Sequence, residues 1–183
     1  MRRPAVFLDR DGVLNRAFLI DGVPHPPSSL DELEVLPGVE EACRLLREAG
    51  YLLIVVTNQP DLARGTQRVE VVDEINGALR RRLGVDDVFV CPHDDADDCD
   101  CRKPRPGMLL AAAVAHEIDL SESVMVGDRD RDIAAGRAAG CRTVLIGEGY
   151  GRPPVPPADL TAGDLRSAVD WIVRQKEFSS TSL

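Results

Sequence analysis

Unbroken apolar runs alternate along this chain with segments of helical period, and that alternation restricts the fold more than any other feature. Ala5–Leu8, Tyr51–Thr57, Ser123–Gly127 and Arg142–Ile146 read as strands. A continuous apolar run suits a parallel strand covered on both faces. Val85–Cys91 reads as a shorter strand. Between the runs, Pro37–Ala49, Gln67–Leu83, Pro106–Glu117 and Asp130–Ala139 read as helices, and Gly163–Gln175 as a last one. Pro37 suits a first helical turn, while Gly50, Gly84 and Gly140 suit helix ends. Strand–helix alternation predicts an α/β fold: a parallel sheet with helices on both faces. The length of 183 residues suits one domain with a substantial core, expected over 1–177. GRPPVPP at 151–157 reads as a surface connection, and the Ser/Thr-rich 178–183 as a disordered tail. The intervals after Asn15 and around 91–101 are expected to supply only loops over a site, with no large cap domain.

Carboxylates stand where these runs end. Asp9 and Asp11 follow the first run, and Asp128 follows a later one. In open α/β sheets ligands sit beyond the carboxyl ends of the strands. Strand alternation would put Asp9 and Asp11 on one side. Two acids so close repel unless a cation lies between them, and Mg²⁺ is the hard ion that prefers carboxylate oxygen.

A second constellation is Cys91-Pro92-His93 followed by Cys99-Asp100-Cys101. Three thiolates and an imidazole complete a tetrahedral Zn²⁺ shell with no open position, which is the structural kind of zinc site. The loop leads directly into Arg102 and Lys103, so zinc is expected to position them. Asp94–Asp98 reads as a solvated acidic face, and Cys43 and Cys141 as isolated thiols. The net charge of −9 argues against a broad nucleic-acid surface, which needs a basic face. A local cationic pocket can still attract a small anion. No apolar stretch is long enough to span a bilayer. The short run after MRRP ends at Asp9, which argues against a signal peptide and for the cytoplasm. A monomer without nucleic-acid or membrane partners is expected.

Four segments occur in order: AVFLDRDGVLN at 5–15, VVTNQ at 55–59, CRKPRPG at 101–107 and MVGDRDRD at 125–132. With them the chain resembles the haloacid dehalogenase-like phosphohydrolase superfamily, over roughly Pro4–Ile146. The resemblance implies a Rossmann-like fold and phosphoryl transfer through an aspartyl-phosphate. It makes Asp9 the nucleophile and Asp11 the general acid and base. It assigns Mg²⁺ to the Asp9 carboxylate, the Asp11 backbone carbonyl and the Asp128 carboxylate. Thr57 and the Asn58 amide would hold the phosphoryl oxygens, and Lys103 would pair with that group and steady Asp9. Asp132 is expected behind these groups.

The Cys-x-His and Cys-x-Cys pairs narrow the resemblance to one branch. This branch comprises the D-glycero-D-manno-heptose 1,7-bisphosphate phosphatases and the phosphatase domains of histidinol-phosphate enzymes. Leu62-Ala63-Arg64-Gly65 and Arg105-Pro106-Gly107-Met108-Leu109 match the heptose side. The short cysteine loop resembles the histidinol-phosphate side, and Arg16–Ile20 lacks the usual residues of the heptose enzymes. The implied reaction is loss of the 7-phosphate from the heptose bisphosphate, with histidinol phosphate as the alternative substrate. Arg64, Arg102 and Arg129 are cations beyond the needs of one phosphoryl group, and arginine suits bidentate phosphate contacts.

Overall fold

The structure, a computed structural model, describes residues 2–147, 153 and 156–180, with 177–180 described by backbone alone. Six strands form one sheet: β1 (Ala5–Leu8), β4 (Leu52–Asn58), β5 (Asp87–Cys91), β6 (Val124–Gly127), β7 (Arg142–Ile146) and β8 (Leu160–Ala162). β2 (Phe18–Ile20) and β3 (Val23–His25) make a separate hairpin. The spatial order is β5-β4-β1-β6-β7-β8, and every pairing is parallel. The chain therefore steps outward from β1 through β4 to β5, then returns to β6 on the other side of β1. The carboxyl ends of β4, β1 and β6 surround this reversal, the place where open α/β sheets bind ligands.

Alternation along the strands builds two cores. Val6 and Leu8 of β1 face α1 (Val39–Glu48), α2 (Val69–Leu83) and α5 (Leu165–Ser180). Ala5 and Phe7 face α3 (Gly107–Ala115) and α4 (Asp130–Ala138). Helices thus cover both faces, as expected. Gly84 ends α2 in the left-handed conformation, φ 66°, where its N–H closes onto the Arg80 carbonyl.

Three expectations need correction. The interval after Asn15 is not merely loop: β2 and β3 pair antiparallel across Asp21-Gly22, both at positive φ (51° and 77°). An Asp-Gly turn between apolar residues is a hairpin signal. Pro24 hides it, because proline seldom sits within a strand and is tolerated here at the edge of a two-stranded ribbon. β8 was not foreseen, since three residues carry no readable period. The last helix continues to Ser180, into the expected tail, because the good helix formers Lys176 and Glu177 prolong it. Residues 181–183 and most of the expected 151–157 connection lie outside the described residues. Among the described residues no helix is long and apolar enough to cross a membrane.

Candidate active site

Asp9 is the first residue beyond β1, and its N–H donates to the Val126 carbonyl at 2.9 Å. Strand alternation therefore does not extend to Asp9 and Asp11. A turn brings them to the same pocket instead, with the Arg10 carbonyl accepting from Leu14 and Asn15 N–H groups. Asn58, Lys103, Arg129 and Asp132 line this pocket too. Thr57 is buried, and its hydroxyl oxygen accepts from Gln59 Nε2 at 2.9 Å.

Lys103 joins three elements. Its Nζ lies 2.8 Å from Asp9 Oδ1, 2.8 Å from the Val56 carbonyl and 2.7 Å from Asp132 Oδ1. Asn58 fixes the Lys103 backbone in both directions, donating to its carbonyl (3.0 Å) and accepting from its N–H (3.1 Å). Burial alone would lower the Lys103 ammonium, but Asp132 and Asp9 outweigh it and hold its pKa above the usual value. Burial pushes Asp9 up to about 6 against the pull of Lys103.

Among the described residues the carboxylate of Asp128, just beyond β6, accepts no hydrogen bond and has only a long ion pair. Both its carboxylate oxygens are buried without a hydrogen-bond partner, and its closest cation is Arg129 Nε at 4.0 Å. Burial, then the neighbouring Asp9 and Asp132, push it up to about 8. Gly12 permits this crowding, because a Cβ there would stand 2.2 Å from Asp128 Oδ2. The carboxylate oxygens of Asp9, Asp128 and Asp132 lie within 4.8 Å of one another. Asp132 already faces Lys103 with one oxygen and accepts the Arg129 N–H with the other (3.1 Å). Asp9 and Asp128 are left with oxygens to offer a cation, and such hard donors fit Mg²⁺. Asp132 thus contacts Lys103 directly.

The Asp11 carboxylate accepts from Asn15 Nδ2 at 2.9 Å, Gln59 Nε2 at 2.8 Å and Arg10 Nε at 3.2 Å. Sequence reasoning passed over Arg10 and Gln59, although both lie inside the quoted motifs.

The cysteine loop runs from the end of β5 to Lys103. Its four ligand atoms approach one another at 3.2 to 3.7 Å where they are in contact. Zn–S bonds of about 2.3 Å at tetrahedral angles put neighbouring sulfurs about 3.8 Å apart, so the donor set fits Zn²⁺. Asp94–Asp98 is not simply a solvated face. Asp94 forms a bidentate pair with Arg64 (2.6 and 2.8 Å), Asp95 pairs with Arg102 (2.6 Å), and Asp98 with Arg105. Two of the three arginines expected as spare cations therefore have carboxylate partners. Arg129 lines the pocket with no carboxylate nearer than that of Asp128. Arg131, two residues on and absent from the sequence reading, lines it without an ion pair among the described residues. Val23–Pro26, in and after β3, line it as well.

A haloacid dehalogenase-like hydrolase family model matches residues 28–140. D-glycero-D-manno-heptose-1,7-bisphosphate 7-phosphatase from Thermosynechococcus vestitus is 38% identical, over 94% of this chain and 96% of that protein. D-glycero-beta-D-manno-heptose-1,7-bisphosphate 7-phosphatase from Escherichia coli is 36% identical, over 93% of this chain and 88% of its own length. Among solved structures, D,D-heptose 1,7-bisphosphate phosphatase from B. bronchiseptica, complexed with magnesium and phosphate, superposes with a TM-score of 0.80. It is 34% identical and covers 94% of this chain and 99% of its own.

Proposed function

Since this chain belongs to the haloacid dehalogenase-like hydrolases and is a phosphoric monoester hydrolase, we propose that it removes the 7-phosphate of D-glycero-D-manno-heptose 1,7-bisphosphate. One observation carries the catalytic reading. Asp128 is buried with both carboxylate oxygens unpartnered, beside an Asp9 that is held by a buried lysine and faces a pocket. An unpaired buried charge is costly, so this arrangement calls for a cation. Mg²⁺ held by Asp9, the Asp11 carbonyl and Asp128 would neutralise charge on the transferring phosphoryl group.

The protein's own groups do the rest. Asp9 attacks phosphorus, and the bond to the sugar oxygen breaks. Asp11 gives that oxygen its proton, then takes one from the water that cleaves the aspartyl-phosphate. Lys103 holds Asp9 in position by its 2.8 Å contact and adds positive charge where the phosphoryl oxygens gather. The Thr57 hydroxyl and the Asn58 backbone amide donate to those oxygens. The Cys91, His93, Cys99 and Cys101 set would hold a structural Zn²⁺, which would shape the loop entering Arg102 and Lys103.

Arg129 and Arg131 support a substrate with a second phosphate, because both line the pocket, Arg131 without an ion pair among the described residues and Arg129 with Asp128 only at 4.0 Å. Arg64 and Arg102 build the wall instead, through Asp94 and Asp95. The same pairs leave those acids little capacity to receive the amine of histidinol phosphate. Phosphate release should be measured with Mg²⁺ on the heptose 1,7-bisphosphate, the 7-monophosphate and histidinol phosphate. The highest kcat/KM is expected for the bisphosphate. A preference for histidinol phosphate, or equal efficiency on mono- and bisphosphate, overturns the substrate assignment.

A further inference from the structure

Arg10 has no solvent exposure, an unusual place for a guanidinium. Its side-chain hydrogen bonds and ion pairs among the described residues go to two places. Nε lies 3.2 Å from both oxygens of Asp11, with Nη2 3.1 Å from Oδ2. On its far side Nη1 donates to Asn76 Oδ1 at 2.9 Å. Asn76 belongs to α2, on the buried face that also carries Val72, Ile75 and Leu79. An amide on such a face is costly unless its hydrogen bonds are made. Its oxygen is used on Arg10, 66 positions away in sequence.

We propose that Arg10, anchored by Asn76, is a positioning residue for Asp11, so that helix α2 fixes the carboxylate that moves the proton. This rests on the general-acid role proposed above. Asn15 and Gln59 bind one oxygen of Asp11 each, and Arg10 Nε lies 3.2 Å from both. A carboxylate held by three side chains has little freedom to turn, yet Asp11 keeps 15% of its side chain open to the pocket. Without Asn76 the guanidinium loses the contact that sets its plane. Asp11 then keeps its chemistry but not its aim. Proton transfer is sensitive to such misplacement, because donor and acceptor must meet within hydrogen-bond reach.

The test uses leaving groups. An alkoxide leaving from the heptose bisphosphate needs a proton; p-nitrophenolate needs almost no help. Asn76→Ala should lower kcat on the heptose bisphosphate about tenfold, with KM within about twofold, and should barely change p-nitrophenyl phosphate turnover. In an Asp11→Asn background Asn76→Ala should have no further effect, because the two act through one group. If the alanine variant is unstable, Asn76→Leu, which fills the space without an acceptor, should give the same split. Equal losses on both substrates, or a loss that persists undiminished in Asp11→Asn, overturns the proposal. If Asp11→Asn itself fails to separate the two substrates, the general-acid reading falls and this inference with it. If Asp11→Asn separates them and the Asn76 variants do not, only this inference falls.

Discussion

Two regions of this molecule gather donors that fit a divalent cation, and they do so in opposite ways. At the ends of β1 and β6 the donors are oxygens: Asp9 lines the pocket, and Asp128 lies buried beside it with neither carboxylate oxygen hydrogen-bonded among the described residues. In the loop after β5 the donors are three sulfurs and an imidazole nitrogen that close on one another. The first arrangement leaves room for water and substrate, and hard, exchangeable Mg²⁺ suits it. The second leaves no open position, and Zn²⁺ there would hold structure. The two regions should therefore fail in different ways. Damage at the oxygen site should stop chemistry and spare the fold. Damage at the sulfur site should loosen the fold and reach the chemistry only through Arg102 and Lys103.

The largest effect should come from Asp9→Asn. A neutral amide does not attack phosphorus, so kcat should fall on the order of 10⁴-fold. Zinc content by metal analysis should stay near one per chain. Substantial turnover in the folded variant would remove Asp9 from the nucleophile role. Equal damage to fold and activity would erase the contrast between the regions.

Cys99→Ser should do the reverse. With one of four ligands lost, the melting temperature should drop on the order of 10 °C, as a few kcal/mol would cause in a chain of this length. Zinc should leave with it. Activity should fall as a consequence, because the loop delivers Lys103 to Asp9. A disulfide among Cys91, Cys99 and Cys101 with no zinc, in protein purified under reducing conditions, breaks the comparison.

The oxygen site also predicts a pH dependence. In metal-free protein Asp9 keeps its proton up to about 6 and Asp128 up to about 8, both raised by burial. An unfolded carboxylate loses its proton near pH 4. Between these values the folded state binds more protons than the unfolded one, so stability falls as pH rises. With EDTA present, the melting temperature should decline by on the order of 5 °C between about pH 5 and about pH 8.5. Mg²⁺ at the upper pH should restore it, the cation replacing the protons. A flat or rising profile in EDTA would remove the unmatched carboxylate from the argument.

Much of this was legible in the chain, and the gaps have physical causes. The main strands could be read because buried parallel strands are continuous apolar runs, as in Leu52–Val56. Asp9, Lys103 and Asp128 could be read because they stand in motifs at element ends. The hairpin was hidden by Pro24, and β8 by its three-residue length. Pairing across the fold was not legible at all. Nothing local in Asp94 says that it meets Arg64, 30 positions earlier, or in Asn76 that it meets Arg10. For the same reason charge was legible and its availability was not, so Arg64 and Arg102 read as spare cations.

Availability gives the smallest effect and the finest test. Among the described residues Arg131 lines the pocket without an ion pair and Arg129 has only Asp128 at 4.0 Å, whereas Arg64 and Arg102 are tied to the cysteine loop at 2.6 Å. If a second phosphate is bound, the untied pair should bind it. Arg131→Ala and Arg129→Ala should each reduce the kcat/KM advantage of the bisphosphate over the 7-monophosphate about tenfold, the worth of one charged hydrogen bond. Arg64→Ala should change that ratio by no more than about twofold, since the Arg64 guanidinium is already engaged by Asp94. Its effect on melting should be small too, because an exposed ion pair contributes little. The opposite ordering, with Arg64→Ala collapsing the ratio and Arg131→Ala leaving it intact, would mean that substrate displaces Asp94 from Arg64. The acidic loop would then be a gate over the pocket, and the division between a chemical region and a structural one would not hold at that wall.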